Sequence, residues 1–187
     1  TILLVPEEYP TIQSALDSTS SWDTVSVAPG TYHEFLVGPN HSFVLTGRVP
    51  ADTTTLLRAL LDPIPPANAD TPSVFTIMRD TAEISNFAFF NRPEMRQPDG
   101  ATRSGGIENS ASLMKLSHCN FDSVSAAVRG GNNIVIDHCI FVGCDGACLQ
   151  PNGGRLIATN CYFEGGGSEM VYAYSGSRFE DCVFACN

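Results

Sequence analysis

The feature that most constrains this chain is a six-residue motif that occurs five times from residue 84 onward. Each copy has an apolar residue, two polar residues, an inward-facing residue, a spacer and then phenylalanine. The copies end at Phe89, Phe121, Phe141, Phe163 and Phe184, in steps of 32, 20, 22 and 21 residues. A near-constant period of this size predicts a solenoid, in which each repeat forms one coil of a stack.

A second column lies two residues before each phenylalanine. It holds Phe87 and then the cysteines Cys119, Cys139, Cys161 and Cys182. Parallel strands stacked about 4.8 Å apart place both columns inside the coils. We expect these cysteines to stay mostly as thiols, because that spacing leaves their Cβ atoms slightly too far apart for disulfides. A third inward column is predicted at Phe75, Ile107, Val128, Cys148 and Met170, so each coil has at least two strands.

The second polar residue of each motif predicts a sharp bend between strands. These residues are Asn86, His118, His138, Asn160 and Asp181. Asn, His and Asp are the non-glycine residues that best tolerate the left-handed conformation. His118 and His138 also suggest a metal site, but Asn or Asp fills the same position in other coils. We therefore interpret both histidines as bend residues and expect no metal.

The first quarter of the chain has a different pattern. Residues 10–17 predict a short amphipathic helix, and strands are expected at 24–32 and 42–47. We predict one domain over residues 1–187, with a strand and cap helix in 1–23, coils in 24–187 and a loop insertion at about 91–103. The fold class is all-β: a right-handed parallel β-helix of about six coils, capped by one α-helix.

The segment Val5-Pro-x-x-x-Pro-Thr-Ile-Gln-x-Ala-Leu-Asp17, followed by Asp23-Thr-Val-x-Val-x-Pro-Gly-Thr-Tyr-x-Glu34, resembles the opening of the pectate-lyase-like β-helix superfamily. The resemblance covers the first quarter of the chain and indicates no subfamily. One departure is Trp22, where this opening usually has glycine. The resemblance implies a sugar polymer lying along an outer sheet face.

The catalytic sets that the resemblance would imply are largely missing. The sequence segments that would supply an esterase-like site are missing. A polygalacturonase-like site needs paired carboxylates, and the nearest matching segment supplies only one, Asp145. A lyase-like site needs an acidic Ca²⁺ cluster and a basic residue, for which Glu108, Arg129 and Glu169 are weak candidates. The register makes Glu108 and Arg129 outward neighbours, and a surface ion pair is the simpler interpretation. No cofactor is expected, and Ca²⁺ only with lyase-like activity.

Two outward tyrosines, Tyr172 and Tyr174, would complete such a face by stacking on sugars. Alternation from Met170 leaves an inward direction equally open for Tyr172.

Charge and composition limit the partners. The formal charge is −10, with 20 acidic and 10 basic residues, so no basic stripe exists for nucleic acid. No apolar run approaches the ~18 to 20 residues of a membrane helix, and no membrane span is predicted. Seven cysteines fit either secretion with disulfides or use as small core residues. For Cys144 and Cys148, a local disulfide and two buried thiols both remain open.

Two functions follow from these patterns. The first is a secreted or cell-surface scaffold, with adhesion as one role, that self-assembles head-to-tail into a filament or ring. No cap is visible after the last motif, so the assembly end is expected at Phe179, Cys182, Phe184 and Cys186, accepting residues 1–5 of another copy. The alternative is a small polysaccharide-active enzyme. The incomplete catalytic sets favour the scaffold.

Overall fold

The computed structural model describes residues 1–48, 59–61, 74–90, 106–122, 124, 126–144, 147–165 and 170–185. Over these ranges the chain winds as a right-handed parallel β-helix with a short capping helix, which confirms the predicted fold class. Each full coil gives one strand to each of three parallel sheets, here called A, B and C. The loop insertion predicted at about 91–103 lies outside the described residues.

The strands are numbered β1 to β20 along the chain. Sheet A contains β1 (Ile2–Val5), β2 (Thr24–Val27), β5 (Phe43–Gly47), β8 (Thr81–Ser85), β11 (Leu113–Ser117), β14 (Asn133–Asp137), β17 (Leu156–Thr159) and β19 (Arg178–Glu180). Sheet B contains β3 (Gly30–Tyr32), β6 (Ala59–Leu61), β9 (Phe87–Phe90), β12 (Asn120–Asp122), β15 (Ile140–Cys144), β18 (Tyr162–Gly165) and β20 (Val183–Ala185). Sheet C contains β4 (Leu36–Val37), β7 (Phe75–Ile77), β10 (Ile107–Asn109), β13 (Val128–Gly130) and β16 (Leu149–Gln150).

The phenylalanine column forms a continuous ladder of parallel rings inside the coils. Successive ring centroids from Phe89 to Phe184 lie 4.6, 5.1, 4.8 and 4.8 Å apart, with planes within 5°. The first four rings are fully buried, whereas Phe184 is 46% exposed. Beside the ladder, Cys119, Cys139 and Cys161 are buried and Cys182 is half-buried. The repeat therefore builds one apolar core that runs along the stack.

The five predicted bend residues all adopt positive φ. Their values are 61° for Asn86, 54° for His118, 50° for His138, 53° for Asn160 and 51° for Asp181. A left-handed residue turns the chain from sheet A into sheet B in a single step, and Asn, His and Asp tolerate that conformation best.

The third inward column differs from its prediction in the last two coils. Val128 pairs with Leu149 rather than with Cys148, and Leu149 forms its bridge with Val171 rather than with Met170. A β-bulge at Gly143, where φ is 65°, explains the first shift, because it adds one residue to its coil before sheet C begins. The predicted residues nevertheless stay on the core side, since Cys148 is fully buried and Met170 packs against the core.

The first end of the stack is covered by helix α1 (Ile12–Asp17). Its apolar residues Ile12, Ala15 and Leu16 are at most 1% exposed, as the amphipathic pattern predicts. The Glu34 carboxylate accepts hydrogen bonds from the N–H groups of Ile12 and Gln13, both at 3.0 Å. These bonds satisfy donors of the first helical turn that have no partner within the helix. No helix in the described ranges is long and apolar enough to cross a membrane.

Side chains also close the strand edges at this end. The Gln13 amide pairs with both backbone groups of Val37 in edge strand β4, donating to its carbonyl at 3.1 Å and accepting from its N–H at 2.8 Å. In edge strand β1, the Leu4 N–H donates to the Glu8 carboxylate at 3.2 Å, and its carbonyl accepts from the Glu8 N–H at 2.9 Å. Strand β1, part of the segment 1–5 that is predicted to pair with another copy, pairs on one side with β2 of its own chain. Its pairing with another copy stays a prediction.

Trp22 stands in a conformation that disfavours a bulky residue. Its φ is 66°, its N–H donates to the Ser42 carbonyl at 2.7 Å, and its side chain is 54% exposed. The left-handed region costs an L-residue about 1–2 kcal/mol. This explains why glycine is usual here in the family that the opening resembles.

Candidate functional site

The outer face of sheet C presents one side chain per coil in a single straight row. In strand register the row reads Val37, Thr76, Glu108, Arg129 and Gln150. The register of parallel strands places neighbouring members about 4.8 Å apart. The row is thus a line of mainly polar groups running parallel to the stack.

Glu108 and Arg129 lie directly opposite each other in this row. Arg129 is exposed and Glu108 is half-buried, and no ion pair joins them within the described part of the chain. A carboxylate accepts hydrogen bonds, and a guanidinium donates in a planar fork. The two groups therefore offer a ligand an acceptor and a donor side by side.

Two exposed tyrosines lie at the end of the row that is formed by the last coil. The bridge between Leu149 and Val171 turns Val171 inward, so Tyr172 extends the row beside Gln150 and is 39% exposed. Tyr174 follows two residues later and is 46% exposed. This settles the direction of Tyr172 as outward, and it adds aromatic surface of the kind that packs on apolar faces of ligands.

The sequence patterns did not predict Thr76 and Gln150 as site residues. Each lies next to an inward residue of sheet C, Ile77 or Leu149, so both can be assigned to the outward row once the strand register is known. The bulge at Gly143 obscured that register, so Gln150 could not be assigned to the row from spacing alone.

The described residues of the row do not form a paired-carboxylate site. Glu108 is the one carboxylate among Val37, Thr76, Glu108, Arg129, Gln150 and Tyr172. Asp145 and Glu169, the other candidate acids, lie outside the described residues. Ca²⁺ takes six to eight oxygen ligands, and the described residues contain no group of three His, Cys, Asp or Glu placed for a metal. With Arg129 beside Glu108, the row does not fit Ca²⁺.

The stacked histidines form a second polar cluster, on the bends between sheets A and B. The His118 and His138 rings lie 5.0 Å apart with planes within 3°. Parallel rings direct their nitrogen lone pairs in parallel, so the two histidines do not converge on one ion. His138 Nδ1 lies 2.8 Å from the Asp137 carboxylate. Hydrogen bonds from Thr159 first, and then from His138, lower the pKa of Asp137 from 3.8 to about 2.

The cysteine column is a structural feature. The neighbouring Cys119 thiol raises the pKa of Cys139, and the Cys139 thiol followed by burial raises the pKa of Cys161. Both sulfurs also donate to a carbonyl two residues earlier in their own coil. Thiols of this kind stay protonated and unreactive.

At the proposed assembly end, Phe179 is half-buried and Val183 is 54% exposed, while Cys186 lies outside the described residues.

Comparison with known proteins supports the fold and nothing finer. No family model matches the chain, and no curated protein matches it. Among solved structures it is similar to "Pectin methylesterase PemA from Erwinia chrysanthemi", with a TM-score of 0.65 and 12% identity. The match covers 90% of this chain and 56% of that one, so this chain spans little more than half the length of that protein. Identity this low shows a shared parallel β-helix fold alone.

Proposed function

We propose that this chain is an extracellular β-helix scaffold that holds a linear polysaccharide along the outer face of sheet C. One observation carries the proposal: Thr76, Glu108, Arg129 and Gln150 stand in strand register, and Tyr172 continues their row. A regular line of donors and acceptors suits a polymer that repeats its own hydroxyl groups. One solved structure with a similar fold is a pectin methylesterase, which agrees with a sugar polymer as ligand.

The charge of the chain favours a neutral polysaccharide over a polyanion. The formal charge is −10, and such a field repels a polymer that carries many carboxylates. In the row, the Glu108 carboxylate can accept from sugar hydroxyls, while Arg129 and Gln150 can donate to sugar oxygens. The exposed tyrosine rings supply the apolar surface on which a pyranose ring packs.

The test is affinity electrophoresis and calorimetry against a panel of neutral and acidic polysaccharides. We expect binding to a neutral polymer and about a tenfold loss of affinity for Tyr172→Ala and for Arg129→Ala, equivalent to about 1.4 kcal/mol. Arg178→Ala is the matched control, since Arg178 is an exposed arginine on the outer face of sheet A. Equal losses in Arg129→Ala and Arg178→Ala, or no binding to any polymer, would overturn the proposal. Release of reducing sugars or unsaturated products that depends on Glu108 would instead establish the enzyme alternative.

A second candidate function is self-assembly through the last coil. Val183 is 54% exposed and Phe184 is 46% exposed, and together they present apolar surface where the phenylalanine ladder meets solvent. At the first end α1 covers the core, yet the side chains of Ile2, Trp22 and Val37 are 63%, 54% and 51% exposed. Apolar surface at both ends supports the head-to-tail contact of a filament or ring.

Light scattering at micromolar concentration tests assembly. We expect a filament or ring that becomes a monomer in Phe184→Ser and in Ile2→Ser, because each variant changes an exposed apolar residue at one end. The control is Ile140→Ser, an exposed apolar position in the middle of the stack, which should leave the assembly intact. A monomeric 187-residue chain would remove this candidate.

A further inference from the structure

The turn between strands β4 and β5 contains the sequence Asn40-His41-Ser42. Asparagine, then any residue except proline, then serine or threonine is the acceptor sequence for N-linked glycosylation. This is the one triplet of that kind in the 187 residues. Its position in the fold decides whether the folded chain can carry a glycan there.

The structure places this triplet where a bulky hydrophilic group fits. Asn40 is exposed, and the turn carries the chain from sheet C to sheet A on the outside of the stack. The core begins only at Phe43, which is fully buried. A glycan on Asn40 therefore extends into solvent and displaces no packed side chain.

An exposed aromatic ring lies in the neighbouring coil. Trp22, the single tryptophan of the chain, is 54% exposed, and its N–H donates to the Ser42 carbonyl at 2.7 Å. The backbone of Trp22 is thus one strand spacing from the last residue of the triplet. An exposed indole offers an apolar face on which a pyranose ring packs.

We propose that Asn40 is an acceptor for an N-linked glycan and that the first sugars of this glycan pack against Trp22. The site rests on the proposed extracellular location, because N-linked transfer takes place in the secretory pathway. It adds a covalent modification that the binding row on sheet C does not require. Since Trp22 belongs to the apolar surface of the first end, a head-to-tail contact through that end is expected only in the unglycosylated chain.

The transfer needs a lipid-linked oligosaccharide pyrophosphate as co-reactant, together with its transferase. The Asn40 side-chain nitrogen attacks the first sugar carbon of this donor, and a carbon–nitrogen bond forms. The bond from that carbon to the pyrophosphate oxygen breaks, so the lipid pyrophosphate leaves, and the amide nitrogen loses one proton. No oxidation or reduction takes place.

Secretion of the full chain from yeast, behind a cleavable secretion signal, tests the site. Trypsin releases peptide 1–48, in which Asn40 is the single asparagine. We expect this peptide to carry a glycan mass, and an amidase that removes N-linked glycans should convert its asparagine to aspartate. Secreted chain whose peptide 1–48 is entirely unmodified would overturn the proposal.

Substitutions separate the acceptor sequence from other causes of a mass change. Asn40→Gln and Ser42→Ala are expected to abolish the glycan, whereas Ser42→Thr keeps the required hydroxyl and should retain it. Asn133→Gln, which changes an exposed asparagine outside any such triplet, is the matched control and should also retain it. A glycan that persists in Ser42→Ala would contradict the assignment.

Tryptophan fluorescence tests the contact with Trp22. Acrylamide should quench the glycosylated wild type less than Ser42→Ala, because the sugars would shield the single indole. Equal quenching of the two would overturn the contact. A glycosylated chain that binds no polysaccharide would remove the binding proposal and leave this site, whereas an unmodified secreted chain that binds would do the reverse.

Discussion

The first coil and the last described coil differ in how their core and strand edges are covered. At the first end, helix α1 buries Ile12 and Leu16, and the side chains of Gln13 and Glu34 occupy backbone groups that the fold leaves unpaired. At the last described coil, Phe184 continues the ladder of Phe163 but is 46% exposed where Phe163 is fully buried. Closing a β-helix thus takes more than apolar cover, because its strand edges also need hydrogen-bond partners.

The largest expected effect compares two rungs of the phenylalanine ladder. Phe163→Ala should lower the free energy of unfolding by about 3–5 kcal/mol, since it leaves a cavity between two stacked rings. Phe184→Ala should cost about 1–2 kcal/mol, because roughly half of this side chain already contacts water. Urea unfolding of both variants measures the difference. Equal costs would mean that the last coil is covered in solution and that the contrast between the ends is not real.

The next effect concerns the polar closure of the first end. Glu34→Ala removes the acceptor for the N–H groups of Ile12 and Gln13, and we expect a loss of about 1–2 kcal/mol in unfolding free energy. Glu34→Gln keeps one acceptor oxygen and should lose less. The control at the other end is Glu180→Ala, an exposed position where about 0.5 kcal/mol or less is expected. A similar loss at both ends would contradict a special role for Glu34.

A smaller effect separates two left-handed residues, one near each end. Trp22→Gly should raise the unfolding free energy by about 1 kcal/mol, because glycine adopts φ 66° without strain. Trp22→Ala keeps the strain and should bring no gain. Asp181→Gly should change little, since aspartate tolerates this region. Calorimetric melting of the three variants measures these differences in stability. A destabilised Trp22→Gly would show that the tryptophan side chain makes contacts that outweigh the strain of its backbone.

The smallest effect concerns the hydrogen bonds to the Asp137 carboxylate, which lie in the middle of the stack and away from both ends. The folded state holds the pKa of Asp137 at about 2, below its ordinary 3.8, so its contribution is present above about pH 4 and is lost as the pH falls toward 2. The side chain is 39% exposed, and solvent screening limits the loss to less than about 1 kcal/mol. Urea unfolding between pH 2 and 5 should show a steeper fall for wild type than for Asp137→Asn. If the unfolding free energies of wild type and Asp137→Asn fell in parallel with pH, the hydrogen bonds to Asp137 would not contribute to stability.

The inner columns and the bends were accessible from sequence because both depend on local chemistry. The motif places Phe and Cys at alternate positions of one strand, and Asn86 or His118 at a bend that needs positive φ. These features recur in each coil from residue 84 onward, so an error in the assignment of one coil does not affect the others. The burial of the cap helix followed from its amphipathic pattern in the same way.

The hydrogen bonds that cover the first end of the stack and the outward row of sheet C depend on contacts that no local sequence pattern contains. Gln13 and Val37 are 24 residues apart in the chain. Nothing in either segment predicts that the Gln13 side-chain amide makes the two hydrogen bonds to Val37 that a neighbouring strand would otherwise make. The row of sheet C needs the register of strands β13 and β16, which the bulge at Gly143 shifts by one residue. Asp145, Glu169 and Cys186 remain predictions from sequence alone.

The residue-for-residue register between coils makes one coil the unit by which such a molecule changes length. Phe121 and Phe141 lie 20 residues apart and occupy the same place in successive coils, so duplicating or deleting that stretch leaves the flanking coils with equivalent neighbours. The stack then grows or shrinks by about 4.8 Å, and the outward row gains or loses one position. A gene that repeats or drops this stretch would change the length of the outward row and leave the fold of the other coils intact.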